Sequence, residues 1–256
     1  MYGLLYIVFI LCAISVHEIG HALLMLRYGV EMEEICLLGF GPKVCSFKMR
    51  WLFEDTPVTI RLIPLGAFVE KKSDTMDMQG YEDRHIYSGG IAMNLLFAAA
   101  LLLPMVLLAG LRAPIVVVLE LVLVGLGLAI LFLPRAAGVI VLCVGVASLA
   151  SLVYALSTEP LTQSIGGPVA VFAGASKVDS LGRALFDGAF ISFSLALINA
   201  VPALPLDGGH ICMSYIRQML GLEDSSVEHV FMGLSVVCFG SIVSLAFASD
   251  VLKYLW

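Results

Sequence analysis

Two histidines and a glutamate, His17-Glu18-Ile19-Gly20-His21, lie inside a run from Tyr2 to Leu26 that is otherwise almost wholly apolar. The run is long enough to cross a bilayer. On a helix, positions i and i+4 share one face, so both imidazoles can reach a single metal ion with Glu18 flanking them. The chemistry that uses this spacing is a zinc site, in which the glutamate takes a proton from water at the metal. A lone histidine on a helix is more often structural than a ligand. Two histidines and a carboxylate in hydrocarbon each need a partner, and groups so expensive to bury are there by default for function.

Composition sets the surroundings. The chain has 256 residues, 60% of them hydrophobic and only 13% charged, with a mean hydropathy of +1.01. A soluble domain carries about a quarter charged residues, so the expected fold is an all-α polytopic membrane protein. The net charge of −6 is spread along the chain and points to no nucleic-acid partner. The N-terminus lacks a basic region and its apolar run outlasts a signal peptide's core, so Tyr2–Leu26 is expected to be a retained first span. Cys12, Cys36, Cys45, Cys143, Cys212 and Cys238 contain no CxxC pair and read as small hydrophobes, three of them within spans.

About six transmembrane helices are expected, at 2–26, 89–109, 114–133, 136–156, 185–206 and 230–248. Between the first two lies a polar loop, 27–87, that holds eight of the 14 basic residues and is therefore placed in the cytoplasm, with the N-terminus outside. Its stretches Ile35–Pro42 and Val58–Gly66 are apolar, partly β-branched and broken by glycine and proline. They are expected to form a small sheet dipping into the membrane face beside the metal site, with an ordinary cytoplasmic hairpin as the alternative. His85 and His229 fall in polar loops and are expected to be solvated.

The second span opens on Gly89-Gly90 and carries one amide, Asn94. Small residues let helices approach closely, and an asparagine in lipid needs a partner, either a neighbouring helix or a substrate. Residues 114–156 are too long for one span and break at Pro134-Arg135, giving two; Glu120 is their sole acid and is assigned no function. The loop 157–184 is expected to be interfacial around Ile165–Phe172. The fifth span ends in Asn199-Ala200-Val201-Pro202-Ala203-Leu204-Pro205-Leu206-Asp207-Gly208-Gly209-His210. The prolines unwind the helix and the glycines allow a sharp turn, which leaves Asp207 at broken backbone near a membrane face. That is a good place for a third zinc ligand. With the N-terminus outside, spans one and five both run inward. The HExxH lies roughly 20 Å along span one and Asp207 ends span five, so both fall on the inner side.

These pieces together resemble the site-2 protease family of intramembrane zinc metalloproteases (peptidase family M50), most closely its bacterial RseP-type members. The matching segments are His17–His21, Gly39-Phe40-Gly41-Pro42, Ile63-Pro64-Leu65-Gly66, Gly89-Gly90 with Asn94, and Asn199–His210. The resemblance implies zinc bound by His17, His21 and Asp207, and Glu18 as the catalytic acid/base. It places Asn94, Asn199, Pro202 and Pro205 at or beside the substrate groove. It further implies cleavage of single-pass membrane proteins, such as anti-sigma factors or remnant signal peptides, in a bacterial inner membrane. Two departures stand out. RseP-type proteins carry PDZ domains between the second span and the aspartate-bearing half, whereas 110–160 here holds two apolar spans, so any filter those domains provide is absent or supplied by a partner. The family's proline pattern also has Leu204 at its second proline position, with Pro205 following. The alternative class is a membrane zinc transporter or a non-catalytic metal-binding scaffold using the same ligands. The nearly bare spans three and four count against a transport path. His210 is expected to cap backbone or stand behind a ligand.

Overall fold

The computed structural model describes residues 2–63, 66–72, 80–109, 114–158, 178–221 and 230–237, with 240, 241 and 244. In chain order these form α1 (Tyr2–Arg27), β1 (Met32–Leu38), β2 (Phe40–Lys48), α2 (Arg50–Phe53), β3 (Pro57–Ile63) and β4 (Phe68–Lys71). There follow α3 (Tyr81–Ala109), α4 (Pro114–Phe132), α5 (Pro134–Thr158), α6 (Leu181–Ala200) and α7 (Asp207–Leu220). Among the described residues, four helical stretches are long and apolar enough to cross a membrane: α1, Tyr81–Leu107 of α3, Pro134–Ser151 of α5, and α6. The apolar part of α4, Val117–Phe132, is shorter. The structure is thus mostly helical with one small sheet. Residues 230–237, 240, 241 and 244 are helical, while the other residues of the expected last span, the Ile165–Phe172 segment and His229 lie outside the described residues.

α3 is the central helix, packed against α1, α4, α5, α6 and α7. It begins at Tyr81, ahead of the expected Gly89, because Glu82 and Asp83 in its first turn suit the positive end of the helix dipole. Ile91, Leu95, Ala98 and Leu102 of α3 join Leu123 and Ile130 of α4, Val141 of α5 and Ala196 of α6 in the main apolar core. α1 meets α3 almost backbone to backbone. A Cβ on Gly20 would stand 2.3 Å from the Gly89 carbonyl oxygen, so glycine is required at the crossing.

The apolar stretch 114–156 splits where expected, between Leu133 and Pro134. Proline has no N–H, so the Ile130 carbonyl loses the helical donor four residues on. His85 fills the gap: Nε2–H donates to Ile130 O at 2.9 Å, while the Tyr28 hydroxyl donates to Nδ1 at 2.8 Å. Arg27 Nη1 donates to the next carbonyl, Leu131 O, at 3.1 Å. This corrects the expectation of a solvated histidine: His85 is fully buried and ties together α1, α3 and α4.

The sheet has four strands in the order β2-β3-β1-β4, more than the two stretches expected. β1 pairs parallel with β3 (Ile35 opposite Val58) and antiparallel with β4, and β2 pairs antiparallel with β3. β2 and β4 are therefore the edges. Ala22 of α1 packs with Met32, Ile35, Phe53 and Val58, which seats the sheet on the C-terminal half of α1. The Ser15 hydroxyl lies 3.0 Å from the Leu37 carbonyl oxygen, so the end of β1 is pinned two residues from His17.

Candidate metal centre

The helical spacing of His17 and His21 does what i and i+4 positions must: it puts both rings on one face, edge to face with centroids 4.8 Å apart. Their Nε2 atoms are 3.2 Å from each other. Asp207, the first residue of α7, brings Oδ2 to 3.1 Å from His17 Nε2 and 3.4 Å from His21 Nε2. Ligand atoms at zinc bond lengths in a tetrahedral shell stand about 3.3 Å apart. The three atoms therefore form one face of such a shell. Asp207 Oδ2 is buried and accepts no hydrogen bond of its own, an orphaned anionic oxygen aimed between two imidazoles. Among the described residues these three side chains make a group able to hold a metal ion.

The rings are steered from behind by α3. His21 Nδ1–H donates to the Ile86 carbonyl at 2.8 Å, which leaves the Nε2 lone pair facing inward. Asn94 reaches His17 Nδ1 at 3.1 Å through Nδ2, while its own Oδ1 is buried without a partner. A half-turn of the amide resolves both defects: Oδ1 then accepts from Nδ1–H, and His17 Nε2 is freed as a ligand. Asn94 is fully buried, and its backbone oxygen takes a 2.8 Å bond from Ser192 of α6. Asn94, expected to find its partner either on a neighbouring helix or in a substrate, is buried here against His17. The space itself depends on Gly90, where a Cβ would meet His17 Nε2 and His21 Nε2 at 2.6 Å.

Asp207 arrives by a folded connector. α6 ends at Ala200, earlier than expected, because Pro202 pushes Val201 out of the helical region to ψ 132°. The chain turns through Ala203 N→Val201 O and Leu206 N→Ala203 O, and a new helix starts at Asp207. Asn199 and Pro202 are half-buried and Pro205 is exposed along this connector. Glu18 is half-buried on the same turn as both histidines, where its carboxylate interacts electrostatically with His21, His17 and Asp207. His210 stacks flat on Tyr87 of α3, with centroids 4.5 Å apart and planes 4° from parallel. Sequence reasoning missed Arg84, Tyr87 and the Ile86 carbonyl. The spacing of Arg84, Tyr87 and Asn94 along one helical face was the available signal, and it is weak without knowing which helix lies opposite.

Residues 5–241 match the family model described as Peptidase family M50. The "Regulator of sigma-W protease RasP" of Bacillus subtilis is 40% identical over 78 residues, 30% of this chain and 17% of that protein. A "Zinc metalloprotease RasP" of Geobacillus kaustophilus is 53% identical over 53 residues, 21% of this chain and 11% of that one. Its namesake in Bacillus licheniformis is 42% identical over 62 residues, 24% of this chain and 14% of the relative. The aligned stretches thus span less than a fifth of these relatives' own length.

Proposed function

Since the chain belongs to peptidase family M50, we propose that it is an intramembrane zinc metalloprotease that cleaves single-pass transmembrane proteins. The observation that carries this reading is the triangle of His17 Nε2, His21 Nε2 and Asp207 Oδ2, 3.1–3.4 Å on a side, with Glu18 on the same turn. His17, His21 and Asp207 hold the metal, whose bound form supplies Lewis-acid chemistry to water and to the scissile carbonyl. Glu18 takes the proton from the attacking water and delivers it to the leaving amine. The half-buried position of Glu18 keeps it close to both proton sites while water reaches it from the cytoplasmic side.

A helical substrate hides its carbonyls in hydrogen bonds and must unwind before cleavage. The extended segment adds to an edge of the sheet, since among the described residues β2 and β4 each leave one side unpaired. Asn199, Pro202 and Pro205 shape the groove along the α6–α7 connector. We place the chain in a bacterial inner membrane with six crossings and the N-terminus outside, and substrates of the anti-sigma-factor or remnant signal-peptide kind suit this topology. The test is zinc analysis of the purified protein with cleavage of a model single-pass substrate by wild type and Glu18→Gln. One zinc per chain in both, with cleavage in the wild type alone, is the expected result; turnover by Glu18→Gln would refute its role.

A further inference from the structure

α7 carries the third ligand but is joined to α6 only by a short connector, so something must set its rotation. Its residues Asp207, His210, Ser214, Tyr215 and Gln218 fall on one face at helical spacing, and the last four meet α3. Tyr87 of α3 stacks on His210, one turn from Asp207. Arg84, 7% exposed, lays its guanidinium 4.1 Å from the Tyr215 ring centroid. The same group donates Nη1 to Gln218 Oε1 at 2.9 Å and lies 3.3 Å from Ser214 Oγ. α5 closes over this clamp: a Cβ on Gly138 would stand 3.1 Å from the Tyr215 hydroxyl and 3.3 Å from Arg84 Cβ.

Apolar contacts such as that of buried Ile211 are non-directional and leave a helix free to roll. A roll by one residue, about 100°, would carry Asp207 off the imidazoles. Stacked rings and a planar guanidinium with fixed donors are directional and oppose it. α3 already aims the two histidines through Ile86 and Asn94, so the clamp lies on the helix that orients the other half of the site.

We propose that Arg84 and Tyr87 are positioning residues, holding α7 at the rotation in which Asp207 completes the metal site. This rests on the zinc reading above. The test measures zinc affinity of the full chain in detergent by competition with a chelator, and the ligand-field absorption of the Co²⁺-substituted protein. Tyr87→Ala and Arg84→Ala are expected to weaken zinc by about 10- to 100-fold and to shift the cobalt bands toward a two-histidine site. Tyr87→Phe, which keeps the ring, should match wild type, and Arg84→Lys, which loses the planar fork, should not. If Arg84→Ala fails to fold, Ser214→Ala/Gln218→Ala removes its acceptors more gently and should weaken zinc to a lesser extent. Folded variants with wild-type zinc affinity and cobalt bands, even at reduced thermal stability, would overturn the proposal. Wild-type protein without zinc affinity would instead overturn the protease reading on which it depends.

Discussion

The Asn94 amide sits 3.1 Å from Nδ1 of His17, and both residues are buried. The amide is the only group among the described residues bonded to that nitrogen, so it selects which nitrogen of His17 is left for a metal. Asn94→Ala should therefore lower zinc affinity by about 10- to 100-fold without unfolding the helices. Asn94→Asp, whose carboxylate accepts from Nδ1–H, should retain more of the affinity than alanine. Chelator competition on both variants checks this; alanine and aspartate behaving alike would remove the orienting role.

Gly90 is held to glycine by the two imidazoles it faces. A methyl group there would lie 2.5 Å from His17 Cε1 and 2.6 Å from both Nε2 atoms, well inside contact distance. Gly90→Ala should expel zinc while α1 and α3 remain associated, because the neighbouring Gly20–Gly89 crossing is untouched. Elemental analysis showing full zinc in a folded Gly90→Ala protein would contradict that geometry.

The pairing of His17 with His21 was legible in the sequence because a helix's period is local knowledge: the two share a face whatever surrounds them. The broken backbone ahead of Asp207 was legible too, because Pro202 and Pro205 act on their own chain. The α4–α5 break was legible for a similar reason, since Pro134 acts on its own chain. His85 was misread because its polar neighbours Glu82, Asp83 and Arg84 suggested solvent. What buries it is a carbonyl of α4, orphaned by Pro134, 49 residues further along the chain. The parallel β1–β3 pairing and the Arg84–Tyr215 clamp are likewise long-range, and no local pattern encodes which partner lies opposite.

That orphaned carbonyl yields a control. His85→Phe removes the donor to Ile130 O and leaves it buried and unsatisfied, at a cost of about 1–3 kcal/mol. Tyr28→Phe removes the donor to Nδ1 and should cost about 1 kcal/mol. Both changes act at the junction of α1, α3 and α4 rather than on the ligands. Thermal unfolding should shift down in the order wild type, Tyr28→Phe, His85→Phe, while zinc affinity of the folded protein stays unchanged. Loss of zinc in step with stability would show that the bracket and the metal site are one unit.

In the sheet, Glu34 makes a pH-sensitive joint. Burial by itself would push its carboxyl pKa up, but hydrogen bonds from Lys43, Thr59 and Arg61 outweigh that and hold it below the ordinary carboxylate value. The Arg61 bond is 3.0 Å, and all three partners come from β2 and β3 while Glu34 is on β1. A carboxyl whose folded value is depressed binds fewer protons folded than unfolded. Its contribution is therefore fully present above the unfolded value, about 4.3, and is lost as pH falls through the lower folded value. Limited proteolysis of 32–71 should stay slow at pH 7 and accelerate as the medium is taken below about pH 4. Glu34→Gln removes the titrating group, so its sheet should be cut faster than wild type at pH 7 and show a flatter acid response. An acid response as steep in Glu34→Gln as in wild type would place the sensitivity on another carboxylate.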